Sequence, residues 1–340
     1  MSGERAKRIA VVGATGVVGR ELTTLLAERE FPLAELRLYA SEAEEGEEIE
    51  VGSDWQRVEA LPPELPEVDI AFLCATAEVS REIAEELAEG GALVIDLTDG
   101  SKQAPLVLGA ADVRGERRTA RGGLILRLPD PLTRLVAVPL RALAGLGRAE
   151  RAIVTGVVSA SAFGRAELDR LSQETVGILS FRQPEEEAEG DDEGVEGDEK
   201  GAGVAFRCIP EDPAPPGIVS RVEAELGELF APPLPVAMNV MRAPFFYGHA
   251  ASLSIQFESP VAIDRARAVL RDAPSLVVGE EGASGFSTLD AVGADAIYVV
   301  GLRQLPADPK WVHFWALADN IRQGAALAAV SLAEGLAVKH

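Results

Sequence analysis

Gly13, Gly16 and Gly19 stand at a spacing that can hold a phosphate. They follow the apolar run Lys7-Arg-Ile-Ala-Val-Val directly, and the helix-forming stretch Val17-Val-Gly-Arg-Glu-Leu begins among them. In a strand–turn–helix unit of this kind the glycines let the chain turn sharply, approach a pyrophosphate closely and pack the helix on the strand, with the anion at the positive helix end. The predicted cofactor contacts are therefore Gly13, Thr15, Gly16, Val17 and Val18. An ordinary tight turn in an α/β sheet would look similar, so the fold follows more directly than the ligand. A second pair with chemical potential is Arg242 and His249, at the two ends of Arg-Ala-Pro-Phe-Phe-Tyr-Gly-His. An arginine can grip a carboxylate through two parallel hydrogen bonds, and a histidine can exchange protons near neutral pH. Read alone, the pair is equally a surface ion pair and a satisfied core histidine.

The elements that must position these residues are legible. Residues 7–12, 35–40, 68–74 and 92–96 read as short apolar strands, separated by helical stretches at Gly19–Arg29 and Val79–Glu89. That βαβ rhythm predicts a parallel, Rossmann-like sheet. Beyond about residue 133 the segments 152–160, 203–209, 235–240, 250–257 and 296–302 predict a second α+β domain with a mostly antiparallel sheet, because several alternate as strands with one exposed face. The run Asp319-Asn-Ile-Arg-Gln-Gly-Ala-Ala-Leu starts a helix expected to return to the first domain. The expected division is 1–133 with 319–340 as a dinucleotide-binding domain, and 134–318 as a substrate and dimerisation domain. Within the latter, 184–201 is too charged and too poor in large apolar residues to pack, and reads as a solvated loop.

Composition excludes several function classes. The 340 residues are 47% apolar and 26% charged, enough for two well-filled cores. The net charge of −23 opposes binding to nucleic acid or to an anionic membrane, since both demand cations. No apolar run of about 18 residues suggests a membrane span, and the opening Met-Ser-Gly-Glu-Arg-Ala-Lys lacks a signal-like stretch, so a cytoplasmic location is expected. The only cysteines, Cys74 and Cys208, lie in strand-like sequence and are expected as small buried residues; no metal cluster has ligands at a suitable spacing.

The glycine turn, Val94-Ile-Asp, Ser161-Ala-Phe-Gly-Arg-Ala-Glu-Leu, Arg242 through His249 and Asp319 through Leu327 together resemble the aspartate-semialdehyde dehydrogenase family, in order along nearly the whole chain. The resemblance implies a dimer that makes aspartate semialdehyde from aspartyl phosphate with NADPH. It also implies a cysteine thiolate that forms a thioester, a histidine that exchanges protons and an arginine that clamps the substrate carboxylate. His249 then looks like the acid/base and Arg242 like the clamp. Lys102 matches a phosphate-site arginine, and Arg221 preserves a positive charge beside the substrate. Ser41 and Asn320 remain available for ribose or amide contacts.

At the thiol position the resemblance breaks. The family's Asn-Pro-Asn-Cys-like turn corresponds to Leu128-Pro-Asp-Pro-Leu-Thr, which puts Pro131 at the cysteine. Val158 takes the place of a substrate-side glutamine and Val219 that of an acidic residue. Where NADP-dependent members carry a serine and basic residues, Ser41 is followed by Glu42, Glu44 and Glu45, which disfavour the 2′-phosphate by like charge. NAD or NADP remains possible, with NADP the less favoured, and no metal is expected. The pattern most resembles a cysteine-less, noncatalytic subgroup: a binding or regulatory homodimer, with a small dicarboxylate as a possible ligand. The alternative is an active nicotinamide-dependent oxidoreductase on another substrate, using His249 as acid/base without a covalent intermediate.

Overall fold

The computed structural model describes residues 6–180, 203–280 and 285–337; the acidic stretch 184–201 lies outside the described residues. The first part of the chain runs β1 (Lys7–Val12), α1 (Val17–Glu28), β2 (Leu33–Ala40), β3 (Glu48–Val51), β4 (Asp54–Ala60), β5 (Ile70–Leu73), α2 (Ala77–Glu89), β6 (Leu93–Asp96) and β7 (Leu124–Arg127). These strands form one sheet in the order β3-β4-β2-β1-β5-β6-β7, parallel throughout except for the β3–β4 hairpin. Strands β3, β4 and β7 add to those expected from the sequence.

The glycine turn follows from sterics. Gly13 has φ +89°, and a Cβ there would lie 2.6 Å from Ala75 N and 2.7 Å from Cys74 O, so only glycine fits where the turn crosses the end of β5. A Cβ on Gly19 would overlap Gly13 O and sit 2.7 Å from Ala14 Cα, which is how closely α1 packs on its own turn.

After β7 come α3 (Pro131–Leu143), β8 (Ala149–Val158), α4 (Arg165–Leu179), β9 (Ile209–Pro210), α5 (Ile218–Leu229) and β10 (Val236–Arg242). Then follow β11 (His249–Phe257), α6 (Ile263–Asp272), β12 (Leu276–Val278), the short α7 (Thr288–Ala291), β13 (Ile297–Leu305) and β14 (Asp308–Ala318). The second sheet has the order β12-β13-β14-β11-β8-β10-β9 and is mostly antiparallel, with β8–β10 and β12–β13 the parallel pairs. Strand β14 was not among the expected segments. The expected strand 203–209 shrinks to Ile209–Pro210, because Glu174 accepts the amides of Val204 and Ala205 and Phe206 takes a positive φ of 59°. Those amides are spent on a side chain instead of a ladder.

One core joins α3, α5 and α6 to the inner face of the second sheet through Leu132, Leu135, Val222, Leu253 and Phe314. Another joins the first sheet to α1 and to the C-terminal helix α8 (Leu327–Ala337) through Ile9, Leu22, Phe72, Val330 and Leu332. The return begins where Asp319 Oδ1 accepts the amides of Ile321 and Arg322 at 2.8 Å, starting a wide helical turn at Arg322–Ala326. Arg322 then pairs with Glu21 and Glu28 of α1, both at 2.7 Å, and with Asp295 at 2.6 Å. No helix among the described residues is long and apolar enough to cross a membrane.

Overpacking the turn is the direct test of this junction. Gly19→Ala is expected to lower stability by about 1–3 kcal/mol, read as a shift in the denaturant midpoint. An unchanged midpoint would mean that α1 does not pack on the turn as described.

Candidate functional site

A cleft of about 350 Å³ lies where the two sheets meet. Gly16, Val17 and Val18 line one end, His249 and Asn320 another side, and Asp130, Pro131, Arg221 and Glu225 the opposite wall. A larger cavity of about 670 Å³ lies beside α2, away from the glycine turn and His249. Lys102 lines that larger cavity and not the cleft, although its partner Asp99, 3.6 Å away, is a residue of the cleft wall.

At the dinucleotide end, α1 starts at Gly16 with no side-chain cap and no acidic residue in its first turn. Val17 and Val18 line the cleft, and no side chain among the described residues caps this positive helix end, an arrangement suited to a pyrophosphate. Glu44 is the one of the three expected carboxylates brought to this turn. Ser41 donates to it at 2.8 Å, and with help from Thr15 and the charge of Arg165 the carboxyl is held below its usual range. Ser41 is thereby engaged by Glu44.

The surroundings of His249 are built on strand register. In the second sheet Arg242 pairs with Val158 in the parallel β10–β8 ladder, and the pairing of Val157 with Ala250 on β11 sets Val158 opposite His249. Arg242, Val158 and His249 therefore form one row across three strands, with the buried Val158 between the two polar residues. His249 is 2% exposed. The Ser159 amide donates to its Nδ1 at 3.4 Å, Ser159 Oγ lies 3.3 Å from the same nitrogen, and the ring also interacts with the Gly248 backbone. Burial holds the imidazole below its usual pKa, so the ring is neutral. Asn320, expected at the ribose or amide, is largely spent: its Oδ1 accepts Gly248 N at 2.9 Å and the hydroxyls of Ser159 and Ser161. Arg242 does not line the cleft. Its Nε donates to Glu211 at 2.9 Å, its Nη1 to Glu167 at 2.8 Å, and its face lies 3.7 Å from the Phe163 ring centroid.

Pro131 is the first residue of α3, with Asp130 as the cap that accepts Leu132 N at 2.9 Å. Neither thiol compensates for it. Cys74, expected in the core, is half-buried just past β5 and lines the cleft beside the glycine turn. Its thiol is pushed up to about 12, first by burial and then by Asp96. Cys208, also expected to be buried, is exposed on the segment before β9. Val219 packs in the core, whereas Arg221 lines the cleft with Nη1 3.6 Å from Asp130 Oδ2.

Sequence reasoning missed Glu225. Its carboxylate accepts the Asp130 amide at 3.0 Å and the Thr133 hydroxyl, covering the N-terminus of α3. The available signal was a charged residue on the apolar stripe of α5, whose buried positions are Ile218, Val219, Val222, Glu225 and Leu226. Among the described residues no group of His, Cys, Asp and Glu could hold a metal ion.

With that geometry in hand, comparison with known proteins is informative. Residues 8–117 match the family described as "Semialdehyde dehydrogenase, NAD binding domain", and residues 139–323 match "Semialdehyde dehydrogenase, dimerisation domain". Aspartate-semialdehyde dehydrogenase of Rickettsia conorii is 28% identical over 96% of this chain and 97% of its own. A protein of Pseudomonas aeruginosa named USG-1 protein homolog is 32% identical over 98% of both chains. A crystal structure of aspartate semialdehyde dehydrogenase II from Vibrio cholerae superposes with a TM-score of 0.86 at 28% identity, covering 99% of each chain.

The buried Glu225 makes stability depend on pH. Its carboxyl rises from near 4.5 to about 7, first through burial and then through the charge of Asp130. The folded state therefore binds a proton that the unfolded chain has lost, so this contribution is complete below pH 4.5 and falls away as pH rises towards 7. Glu225→Gln should flatten the wild-type loss across that window, worth roughly 3 kcal/mol. Urea titrations of both proteins at pH 5 and pH 8 measure it, and parallel pH profiles would refute the assignment.

Proposed function

We propose that this chain, which belongs to the aspartate-semialdehyde dehydrogenase family, is a dinucleotide-binding homodimer without the phosphorylating dehydrogenase activity named for its relatives. The observation that carries the reading is Pro131 at the head of α3, where the resemblance puts the nucleophile and where proline offers none. A protonated thiol at Cys74 and an exposed one at Cys208 cannot take over, because the thiolate is the attacking species and His249 is not aligned to either by any hydrogen bond.

The residues present fit a nicotinamide dinucleotide. A cofactor bound here would give or take hydride. The amides of Val17 and Val18 would hold its pyrophosphate, and the ionised Glu44 beside Thr15 would repel a 2′-phosphate while leaving ribose hydroxyls acceptable. NAD is therefore favoured over NADP. A small dicarboxylate would meet Arg165 and Arg221 in the cleft but not Arg242.

Dimerisation is supported by the family match over residues 139–323 and by the outer face of the second sheet. Ile153 on β8 and Trp315 on β14 are 47% and 40% exposed on that face, opposite the one covered by α3, α5 and α6. Apolar side chains left exposed beside the part of this face that α7 covers suit a second copy of the chain. One observation favours a second reading, an active oxidoreductase without a covalent intermediate: His249 lines the cleft and could exchange a proton with a carbonyl oxygen as hydride reaches its carbon.

In a steady-state assay with aspartate semialdehyde, phosphate and either cofactor, turnover is expected far below the usual range of about 1–1000 per second. Turnover within that range would overturn the noncatalytic reading. Pro131→Cys alone should not restore it, because Val158 and Val219 still stand where the resemblance places a glutamine and an acidic residue. Calorimetry should find NAD bound at least as well as NADP, and Glu44→Ser should improve NADP relative to NAD by roughly tenfold. Trp315→Asp should shift sedimentation towards monomer; a dimer that survives it would place the interface elsewhere. NADH consumption with an aldehyde panel, lost on His249→Ala, would select the second reading.

A further inference from the structure

The parallel strands β6 and β7 are joined without a crossover helix. In a sheet ordered β1-β5-β6-β7 the connection from β6 returns on the face that α2 covers, and a helix there would shield the edge strand β7. Between β6 and β7 the chain forms no helix beyond the short turn at Ala110–Asp112, and the cavity of about 670 Å³ occupies the space beside α2. That volume falls within the roughly 300–1,000 Å³ of small-molecule sites. Part of its lining is apolar: Ala84 and Ala88 are buried on α2, and Ile125 of β7 packs against the same cluster.

Both ends of the cavity are pinned to α2. At one end a Cβ on Gly100 would lie 2.6 Å from Ala77 O and 2.7 Å from Ser80 Cβ, so the segment carrying Lys102 lies against the first turns of the helix. At the other, Thr119 Oγ1 donates to Ala88 O at 2.8 Å and accepts Gly123 N at 2.9 Å. Three cations, Arg81, Lys102 and Arg117, and three acids, Glu85, Glu89 and Glu116, line the space. No two of them pair with each other, and among the described residues only Lys102 is in an ion pair, with Asp99 at 3.6 Å. Arg81 and Glu85 stand on successive turns of α2, a separation of about 6 Å at which an ion pair could form and has not.

A simple anion would be drawn by three of these groups and repelled by the other three, and a simple cation likewise; a zwitterion can answer both signs. We propose that the cavity beside α2 binds a free α-amino acid with a large apolar side chain. Arg81 and Lys102, at the start of the helix, take the carboxylate. Glu85, one turn further on, takes the ammonium group, and the side chain lies on Ala84, Ala88 and Ile125. The site shares no lining residue with the cleft, so its occupancy does not depend on a dinucleotide or on dehydrogenase activity.

The test is calorimetric titration of the full chain with L-phenylalanine at pH 7 and constant ionic strength, without nucleotide. Saturable binding is expected, and 3-phenylpropionate, phenethylamine and glycine, which lack in turn the ammonium, the carboxylate and the apolar body, should each bind about tenfold more weakly or worse. Arg81→Gln and Glu85→Gln alter exposed helix positions, so the fold should survive them, and each should weaken L-phenylalanine binding by about tenfold while leaving NAD binding unchanged. No saturable binding up to about 10 mM L-phenylalanine overturns the proposal. Equal affinity for 3-phenylpropionate overturns it too, because the acids would then play no part. Binding that both variants leave intact places the ligand elsewhere and overturns it as well.

Discussion

The Asn320 side chain holds the cleft together. Its carbonyl oxygen accepts the Gly248 amide and the hydroxyls of Ser159 and Ser161, while its Nδ2 donates to Ser161 at 3.0 Å. It is 2% exposed, so each of these bonds replaces one that water would otherwise have made. The bonds join the end of β8, the turn before β11 and the segment that carries the chain back to the first sheet. His249 is held by the same group, since Ser159 supplies both side-chain and amide contacts to its Nδ1. An apolar residue at position 320 would strand several buried donors at once.

Two helix N-termini converge on this cleft and are treated in opposite ways. That of α1 is left bare at Gly16, so its positive end is available to an anion from outside. That of α3 is covered by Asp130, and by Glu225 acting on the Asp130 amide and the Thr133 hydroxyl. A thiolate or an acyl oxyanion placed at α3 would meet these carboxylates. Proline at position 131 and coverage of the helix end are consistent with each other: the positive end of α3 already stabilises negative charge of the protein itself.

Charge is used in the same internal way elsewhere. Arg127, at the end of β7, is nearly buried and reaches Asp99 at 3.2 Å and Glu228 of α5 at 2.7 Å, tying the first sheet to the wall of the cleft. Arg322 ties α1 to Asp295 through three carboxylates, and Arg242 is shared by two. In a chain with a net charge of −23, the few arginines near the cleft are largely claimed by the protein's own acids. Arg165 and Arg221 are the cations that line it.

Much of this architecture is local and was readable from the chain. Gly13 is dictated by a backbone with φ +89° against the end of β5, and the βαβ rhythm by apolar runs of strand length. Proline at position 131 excludes a nucleophile whatever surrounds it, and the interval from Arg242 to His249 already spans one strand end and the next strand start. What tertiary structure decided was partnership. Register across β10, β8 and β11 set Val158 between Arg242 and His249, and packing of α4 and the Glu211 segment turned Arg242 away from the cleft. Cys74 came to the cleft wall, Lys102 to another cavity, and Glu225 to the head of α3. Hydrogen bonds and ion pairs join residues tens to hundreds of positions apart, and no periodicity or spacing along the chain encodes which of many similar acids and bases will meet. Backbone sterics act between neighbours in sequence; the chemistry of this cleft acts between neighbours in space.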